Sequence, residues 1–507
     1  MRDKLMSNTQ NNNYSGSTTS DITDWTDISW SRIEKYVDKL QKRIYRAENE
    51  KNSYKVRNLQ RLLIYSDSAL LLAIKRVTQT NKGKRTAGID GFRALTGKQR
   101  INLFYKMKTM NIRLHKPKPA LRKYIPKKNG KYRSLGIPII IDRIYQEILR
   151  MALEPQAEVN FEPTSYGFRP KRGVHDAVAR IFQNIVRGKW CWVFEGDFKS
   201  CFDTLSHEFI LSQIRGFPCF NLVNRFLKAG YVDDNIFHRT SKGTPQGGLL
   251  SPLLANIALN GMEEYLGIYY KETQSYKKDN PYIFFKTIGN YRIVRYADDF
   301  VIFAQNKEDI EKLYDILEPY LDERGLTLAE DKTRITHISK GFDFLGFNFR
   351  QYNTKNGNKC FIKPSKKSIK SFKAKIRYRF NALNGHNVDE LIDKLNPLII
   401  GTANFWRHVV SKKTFSSMEY YLWNKVYKFL RRLHPKKGWN WIKKKYFPPF
   451  NNGRHKDNWV LTGPNTGKYL YKMSWTPIVR HAMIKNNYSP YDATKKEYFI
   501  KRDVRGY

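Results

Sequence analysis

The stretch YRIVRYADDFVIFA (291–304) decides the fold. Two apolar runs of β-forming residues flank a central Tyr-Ala-Asp-Asp, and this pattern predicts a β-hairpin with Asp298 and Asp299 at its tip. Adjacent carboxylates repel each other, and removing them from water costs several kcal/mol each unless a cation compensates. An isolated Asp-Asp would merely favour a turn. The flanking strands instead indicate a built site for a cation.

A third acid, Asp197, lies about 100 residues upstream in WCWVFEGDFKSCFD (190–203). The run from Trp190 to Phe194 is typical of a buried strand, so Asp197 follows a strand end. Carboxylates on neighbouring strands can hold two metal ions about 3.5–4 Å apart, one activating a hydroxyl and one stabilising a leaving pyrophosphate. Mg²⁺ prefers oxygen ligands and keeps positions open for phosphate oxygens. We therefore predict two Mg²⁺ ions at Asp197, Asp298 and Asp299.

The charge of the chain predicts a polyanionic partner. Its 507 residues carry 92 Lys plus Arg against 46 Asp plus Glu, a net charge of +46. Residues 351–507 hold 34 of the basic and 8 of the acidic residues, so the C-terminal third is the most basic part. With 14% aromatic residues the chain can also form sizeable cores. Nucleic acid is the polyanion that such a chain favours.

Several classes of protein are excluded by composition. The four cysteines form no CxxC pair, which argues against a disulfide framework or a zinc ribbon. There is no apolar run of 18 residues, so we expect no membrane helix. The polar start lacks the apolar core of a secretory signal, and we predict a disordered tail over 1–24. The Lys, Asn, Ile and Phe bias suggests an AT-rich genome, in an organelle (plastid or mitochondrion) or the cytoplasm of a bacterium; secretion is not expected.

The remaining pattern predicts an α+β protein. Apolar residues recur at helical spacing over 25–95, residues 96–350 mix short β runs with helices, and residues 351–447 are helical and basic. Residues 448–465 are rich in Pro, Gly and Asn and are typical of a linker, followed by a small basic region to 507. Within the mixed part, Asn129-Gly130 interrupts a basic β run in the manner of a hairpin turn.

In its motifs the chain resembles the group II intron-encoded reverse transcriptases with maturase activity. The blocks that carry the resemblance keep the family's order and run from about Trp25 to the C-terminus: NKGKRTAGIDG (81–91), YIPKKNGKYRSLGIP (124–138), SYGFRPKRGVHDAV (165–178), FEGDFKSCFDTLSH (194–207), GTPQGGLLSPLLANIALNGME (243–263), YADD (296–299) and KTRITHISKGFDFLGFNF (332–349).

The resemblance implies roles for individual residues. Asp197, Asp298 and Asp299 match the metal-binding catalytic acids, with support of the site as the alternative role for Asp299, since neighbouring strand residues point apart. Lys127 and Arg133 match cations that hold the incoming triphosphate, although a solvated basic hairpin explains them too. Phe202 matches the aromatic that excludes a ribose 2′-hydroxyl, with a core phenylalanine as the alternative. Gln246, in a glycine-rich loop before an apolar helix, matches a glutamine that contacts the incoming nucleotide.

The resemblance also implies a right-hand polymerase. We expect an N-terminal helical extension over 25–95, fingers and palm over 96–350, a thumb and maturase region over 351–447, and a DNA-binding-like region within 448–507. Tyr421 and Trp423 in the maturase region are either stacking platforms for RNA bases or core residues. Many relatives continue into an HNH endonuclease with paired cysteines; with no CxxC after Cys360, we expect that domain to be missing.

These expectations define a function and its rivals. We predict an RNA-directed DNA polymerase that copies its intron RNA and assists splicing, with intron RNA, a DNA target and primer, and deoxynucleoside triphosphates as partners. The main alternative is a splicing-only maturase, but such proteins usually lose the acidic motifs that stand here. A retron or diversity-generating reverse transcriptase lacks a long maturase-like C-terminus, and a structural RNA-binding protein does not need the three acids.

Overall fold

The computed structural model describes residues 22–126, 130, 132–275, 282–355 and 357–504. Lys127 and most of the predicted disordered tail, residues 1–21, lie outside the described residues. The helices are α1 (Trp30–Asn49), α2 (Ser53–Ile64), α3 (Asp67–Lys75), α4 (Gly97–Lys108), α5 (Ile140–Asn160), α6 (Val174–Ile185), α7 (Cys201–Thr204), α8 (His207–Gln213), α9 (Phe220–Leu227), α10 (Ser251–Ala258), α11 (Met262–Tyr265), α12 (Lys307–Glu311), α13 (Leu313–Glu323), α14 (Lys366–Ala382), α15 (Val388–Trp406), α16 (Lys412–Leu433), α17 (Trp439–Tyr446) and α18 (Lys496–Val504).

The strands form several small sheets. They are β1 (Ala120–Pro126), β2 (Tyr132–Ile137), β3 (Trp192–Gly196), β4 (Tyr231–Asp233), β5 (Ile236–His238), β6 (Tyr269–Ser275), β7 (Tyr282–Ile288), β8 (Arg292–Tyr296), β9 (Asp299–Ala304), β10 (Arg334–His337), β11 (Phe342–Phe344), β12 (Phe347–Thr354), β13 (Gly357–Pro364), β14 (Phe450–Asn451) and β15 (Lys456–Asp457). Their order is β2-β1-β4-β5, β10-β3-β9-β8, β11-β12-β13, β6-β7 and β14-β15.

The central sheet, β10-β3-β9-β8, carries the predicted hairpin. Strands β8 and β9 pair antiparallel with Tyr296 opposite Asp299, so Ala297 and Asp298 form a two-residue turn. Ala297 has a φ of +58°, as a tight two-residue hairpin turn requires. The hairpin prediction is confirmed, and the carboxylates stand at its tip.

Both faces of this sheet are buried, which explains the unbroken apolar run of β9. Phe300 and Ile302 point into one hydrophobic core, and Val301 and Phe303 point into a second. Successive side chains of a strand alternate between the two faces. A strand covered on both faces therefore needs apolar residues at every position.

The two cores divide the helices between them. The first core joins the N-terminal helices α1–α4 to α5 and to α8–α11. The second joins α6 and the strands β11–β13 to α14–α17 and extends along the chain to Phe499. Leu461, in the stretch whose composition suggests a linker, is buried in this second core. The basic C-terminal third is therefore packed against the central sheet rather than tethered to it.

The smaller sheet β2-β1-β4-β5 contacts the glycine-rich loop that precedes α10. The backbone N–H of Gly136 on β2 donates a hydrogen bond of 2.7 Å to the carbonyl of Gln246. The predicted apolar helix after this loop is present as α10. In the described part of the chain, every helix is too short or too polar to cross a bilayer.

Candidate active site

The three predicted acids meet at the end of the central sheet. Strands β3 and β9 pair antiparallel up to Gly196 opposite Phe300, so Asp197 and Asp299 flank the last pair of the ladder. Asp298 precedes Asp299 in the turn. Gly196 is required for this pairing, because a Cβ there would overlap the Phe300 ring. The register thus brings Asp197 beside two carboxylates that lie about 100 residues further along the sequence.

The electrostatics of the cluster fit a cation. Desolvation, with the charge of Asp197 added, raises the pKa of Asp298. Desolvation and the charge of Asp298 raise the pKa of Asp299 to about 6. Such shifts mean that the ionised carboxylates are destabilised where they stand, and a bound cation reverses that penalty. Clustered carboxylate oxygens are also the ligands that Mg²⁺ prefers.

Lys332 is a site residue that the sequence analysis did not single out. Its Nζ lies 2.9 Å from Oδ2 of Asp197. The loop before it is held in place because the N–H of Ala329 donates to the carbonyl of Asp197 at 2.8 Å. Lys332 and the exposed Arg133 are the cations that lower the raised pKa of Asp298. In the sequence, Lys332 was marked only by its position as the first residue of the family block 332–349.

A buried network of hydrogen bonds contacts the backbone of the turn that carries Asp298. The Asn256 Nδ2 donates to the carbonyl of Gly167 at 2.8 Å. The buried Arg295 donates from Nη1 to Asn256 Oδ1 at 3.1 Å and to the carbonyl of Ala297 at 3.3 Å. The signal that could have revealed this network is an arginine inside an apolar strand, since a buried charge needs partners.

Gly167 is packed directly against the turn. A Cβ at this position would overlap the backbone of Ala297. We expect Gly167→Ala to displace the turn, and a displacement of about 1 Å at a reacting centre can cost 10²-fold in rate. The variant should therefore lose about 10²-fold in primer extension while it keeps its RNA affinity.

Gly173→Ala is the matched control for this change. Gly173 lies six residues further along, and a Cβ there meets nothing within 4 Å. Primer-extension rates of both variants, measured beside their thermal unfolding, check the prediction. Equal rates for Gly167→Ala and the wild type would show that the close contact does not position Asp298.

The predicted nucleotide-binding residues lie in two places. Phe202 and Gln246 line a cavity of about 460 Å³, together with cationic side chains including Arg122, Arg239 and Lys242. Among the described residues, the lining includes neither the three acids nor Arg133. Phe202 is half-buried against the first core, and its carbonyl accepts a hydrogen bond of 2.6 Å from the N–H of Thr244. That bond joins the segment after Asp197 to the glycine-rich loop.

The basic hairpin of β1 and β2 adjoins the same cavity, which Arg122 and Ser134 also line. Arg133 is exposed on β2, and its charge lowers the pKa of both Asp298 and Asp299. Strands β1 and β2 pair antiparallel up to Pro126 opposite Tyr132, whereas Asn129 of the predicted turn lies outside the described residues. The structure therefore brings Arg133 within electrostatic reach of the three acids, whereas Lys127 lies outside the described residues.

Comparisons with known proteins match three successive parts of the chain. The reverse transcriptase (RNA-dependent DNA polymerase) family matches residues 125–349, the N-terminal domain of reverse transcriptase matches 25–107, and the group II intron maturase-specific domain matches 369–447. Protein YkfC of Escherichia coli (strain K12) is 36% identical over 57% of this chain and 82% of that protein. Group II intron-encoded protein LtrA of Lactococcus lactis subsp. cremoris is 33% identical over 54% of this chain and 53% of that protein.

The chain belongs to the family of group II intron-encoded reverse transcriptases with a maturase domain. The prediction of an RNA-directed DNA polymerase with a splicing function is confirmed at the level of this family. A mixed α and β polymerase fold is confirmed in the same way. The chain spans about half the length of the Lactococcus relative. A solved structure of telomerase from Candida albicans aligns with 66% of this chain and 62% of that chain, at 13% identity and a TM-score of 0.35.

Proposed function

We propose that the chain copies RNA into DNA at Asp197, Asp298 and Asp299 and assists the splicing of its intron RNA. The observation that carries the proposal is the meeting of three carboxylates, two with raised pKa values, at adjoining strand ends. The three side chains would hold two Mg²⁺ ions, which supply Lewis-acid activation of a primer hydroxyl and charge stabilisation of the pyrophosphate. The turn network of Arg295 keeps the carboxylates of the hairpin in position.

The cationic residues around the acids would bind the triphosphate. Arg133 lies within electrostatic reach of Asp298, and Lys332 contacts Asp197 at 2.9 Å. Phosphoryl transfer depends mainly on positioning and charge stabilisation, which such side chains provide. Lys127 is proposed as a further triphosphate contact from the resemblance alone. Gln246 and the glycine-rich loop would contact the incoming deoxynucleotide and the template base.

The right-hand division of the polymerase is part of the proposal. Residues 25–95 would form the N-terminal extension and residues 96–350 the fingers and palm, with the acids in the palm. Residues 351–447 would form the thumb and maturase region, and 448–507 would contact target DNA. The compartment, a bacterial cytoplasm or an organelle, stays a prediction, as does the set of RNA, DNA and primer partners.

The maturase part presents a strongly basic surface. Helix α14 carries seven Lys or Arg residues and no acid, and Tyr378 on it is 69% exposed. Tyr421 and Trp423 of α16 are half-buried against the second core. Trp423 also lines a cavity of about 250 Å³ with Phe447 and Trp459. Exposed cations beside aromatic rings suit phosphate contacts and stacking on unpaired RNA bases.

A substitution at Phe202 tests whether this ring selects deoxyribonucleotides over ribonucleotides. Removal of its ring by Phe202→Ala opens the cavity that it lines with Gln246. We expect the variant to incorporate ribonucleotides more readily, by about tenfold or more, because a 2′-hydroxyl then meets no ring; one clash of this size corresponds to about 1.4 kcal/mol or more. The measurement is single-nucleotide extension with deoxy- and ribonucleotides on an RNA template.

The control for this change is Phe209→Ala on α8. Phe209 is likewise half-buried against the first core but does not line the cavity. It should lose stability without losing discrimination. An unchanged preference for deoxynucleotides in Phe202→Ala would assign Phe202 to packing alone. Primer extension by the full chain with Mg²⁺ and deoxynucleotides tests the proposed activity itself.

A further inference from the structure

Three histidines from distant parts of the chain meet away from the carboxylates. His175 is the second residue of α6, His408 follows the end of α15, and His481 lies in the extended segment before α18. One ring nitrogen from each lies within 4.8 Å of the other two. The ring centroids are 4.5 Å apart for His175 and His408 and 5.3 Å apart for His408 and His481. The polymerase function proposed above assigns no role to these residues.

Backbone carbonyls fix the tautomers of two of the rings. His175 Nε2 lies 2.8 Å from the carbonyl of Phe405. His408 Nδ1 lies 2.9 Å from the carbonyl of Val479. A carbonyl oxygen only accepts, so each ring donates its N–H there, and the opposite nitrogen carries the lone pair. Metal-binding histidines show this pattern, with the second N–H donated to a carbonyl or a carboxylate.

The third ring is oriented by a buried carboxylate. His481 Nε2 lies 3.0 Å from Asp176 Oδ1. The same oxygen accepts from Arg502 at 2.7 Å and from the N–H of Ile484 at 2.7 Å. Asp176 is therefore held rigidly, and it pairs with His481 as the carboxylate does in carboxylate–histidine–zinc triads.

The charge state of the rings suits a metal ligand. Burial lowers the pKa of His408 to about 4 and also lowers the pKa of His175. A metal ion binds the neutral form of an imidazole ring. The cations near the cluster include Arg502, which is neutralised by Asp176, and Arg407, which follows α15.

We propose that His175, His408 and His481 bind a zinc ion, with a water molecule as the fourth ligand. Three imidazole nitrogens are a zinc ligand set, whereas Mg²⁺ prefers oxygen, so this site differs chemically from the carboxylate cluster. Zn–N bonds of about 2.0–2.1 Å place tetrahedral ligand atoms about 3.4 Å apart. The cluster, now within 4.8 Å, would contract by up to about 1.4 Å on binding.

Zinc bound there joins three segments of the second core. Helix α6 follows the segment of Gly167, which supports the acidic turn. That segment already contacts the C-terminal segment, because Arg172 donates to the carbonyl of Asn486 at 2.6 Å. The ion would therefore join the residues after α15 and the C-terminal segment to helix α6, which follows the Gly167 segment that contacts the acidic turn. The expected consequence is higher thermal stability, since a ligand that binds only the folded state stabilises it.

The test uses the full chain after treatment with a chelator. Zinc titration by calorimetry should give one site, zinc should raise the Tm, and Co²⁺ should give the intense visible absorption of a tetrahedral site. Loss of a residue that only hydrogen-bonds a metal ligand lowers metal affinity about 10–100-fold. His408→Gln and His175→Gln remove ligands themselves, so they should weaken zinc binding by more than that. His386→Gln, which changes an exposed histidine paired with Glu390, should bind as the wild type does.

The variant Asp298→Asn tests whether the metal binds at the carboxylate cluster instead. It should bind zinc and Co²⁺ as the wild type does. The proposal is overturned if the wild type shows no tetrahedral Co²⁺ spectrum. It is equally overturned if His408→Gln and His175→Gln bind zinc as tightly as His386→Gln. The Co²⁺ spectrum of the wild type decides the matter even where a histidine variant fails to fold.

Discussion

Asp298→Asn is expected to abolish primer extension on an RNA template, with a loss of about 10³-fold or more. The metal clamp on the reacting oxygens is worth several kcal/mol, and each 1.36 kcal/mol is about tenfold in rate. The change removes a ligand charge from a cluster that also contains Asp197 and Asp299. Intron RNA binding and splicing should persist, because the basic surface of the C-terminal third is untouched. The double change of Asp298 and Asp299 to Ala should separate the two activities in the same way.

The matched control is Asp322→Asn, which alters an exposed carboxylate on α13 in the same manner. It should extend primers at the wild-type rate. Extension rates, RNA affinity and splicing are measured on the same preparations. Substantial DNA synthesis by Asp298→Asn would remove Asp298 from the catalytic role.

Affinity for intron RNA should fall steeply with salt. Six to ten phosphate contacts lose on the order of 10³–10⁵ in affinity between 50 and 200 mM salt, since each contact releases counterions. Helix α14 alone carries seven cations. Replacement of its exposed Lys366, Lys370 and Arg377 by Gln should lower the slope of log affinity against log salt by about 2–3. Filter binding of cognate intron RNA at several salt concentrations measures the slope.

Surface substitutions are the proper form of this test. A truncation near Arg350 would cut through β12 and expose the second core, which continues to Phe499. The control replaces Lys35, Lys39 and Arg43 by Gln, three exposed cations on α1. An equal fall in slope for this control, with none for the α14 variant, would assign RNA binding to the N-terminal extension.

The acidic hairpin was predictable because its information is local. Residues 300–303 of strand β9 alternate between two cores and are therefore all apolar. The two carboxylates that precede them mark the end of the strand and the turn. Asp197 was found by the same reasoning, since it follows a second buried strand. Its position beside Asp299 depends on the pairing of β3 with β9. The local sequence pattern does not predict that proximity, which was inferred from the order of the family motifs.

Other features depend on contacts between distant segments. The hydrogen bond between Asn256 and Gly167 joins residues 89 positions apart, and the contact of Lys332 with Asp197 spans 135. Side-chain composition alone does not reveal such pairs. The sequence pattern also did not predict the packing of residues 448–504. Pro, Gly and Asn favour irregular backbone both in flexible linkers and in segments that pack against a core. The three histidines had no common motif to connect them.

The central claim is that the three carboxylates form the active site of an RNA-copying polymerase. The most direct measurement is extension of a DNA primer on an RNA template by the purified full chain, with Mg²⁺ and deoxynucleotides and with Asp298→Asn in parallel. We predict full-length DNA that depends on added Mg²⁺ and is absent with the variant. A folded wild-type protein that binds intron RNA and promotes splicing, yet makes no DNA, would contradict it and identify a splicing-only maturase.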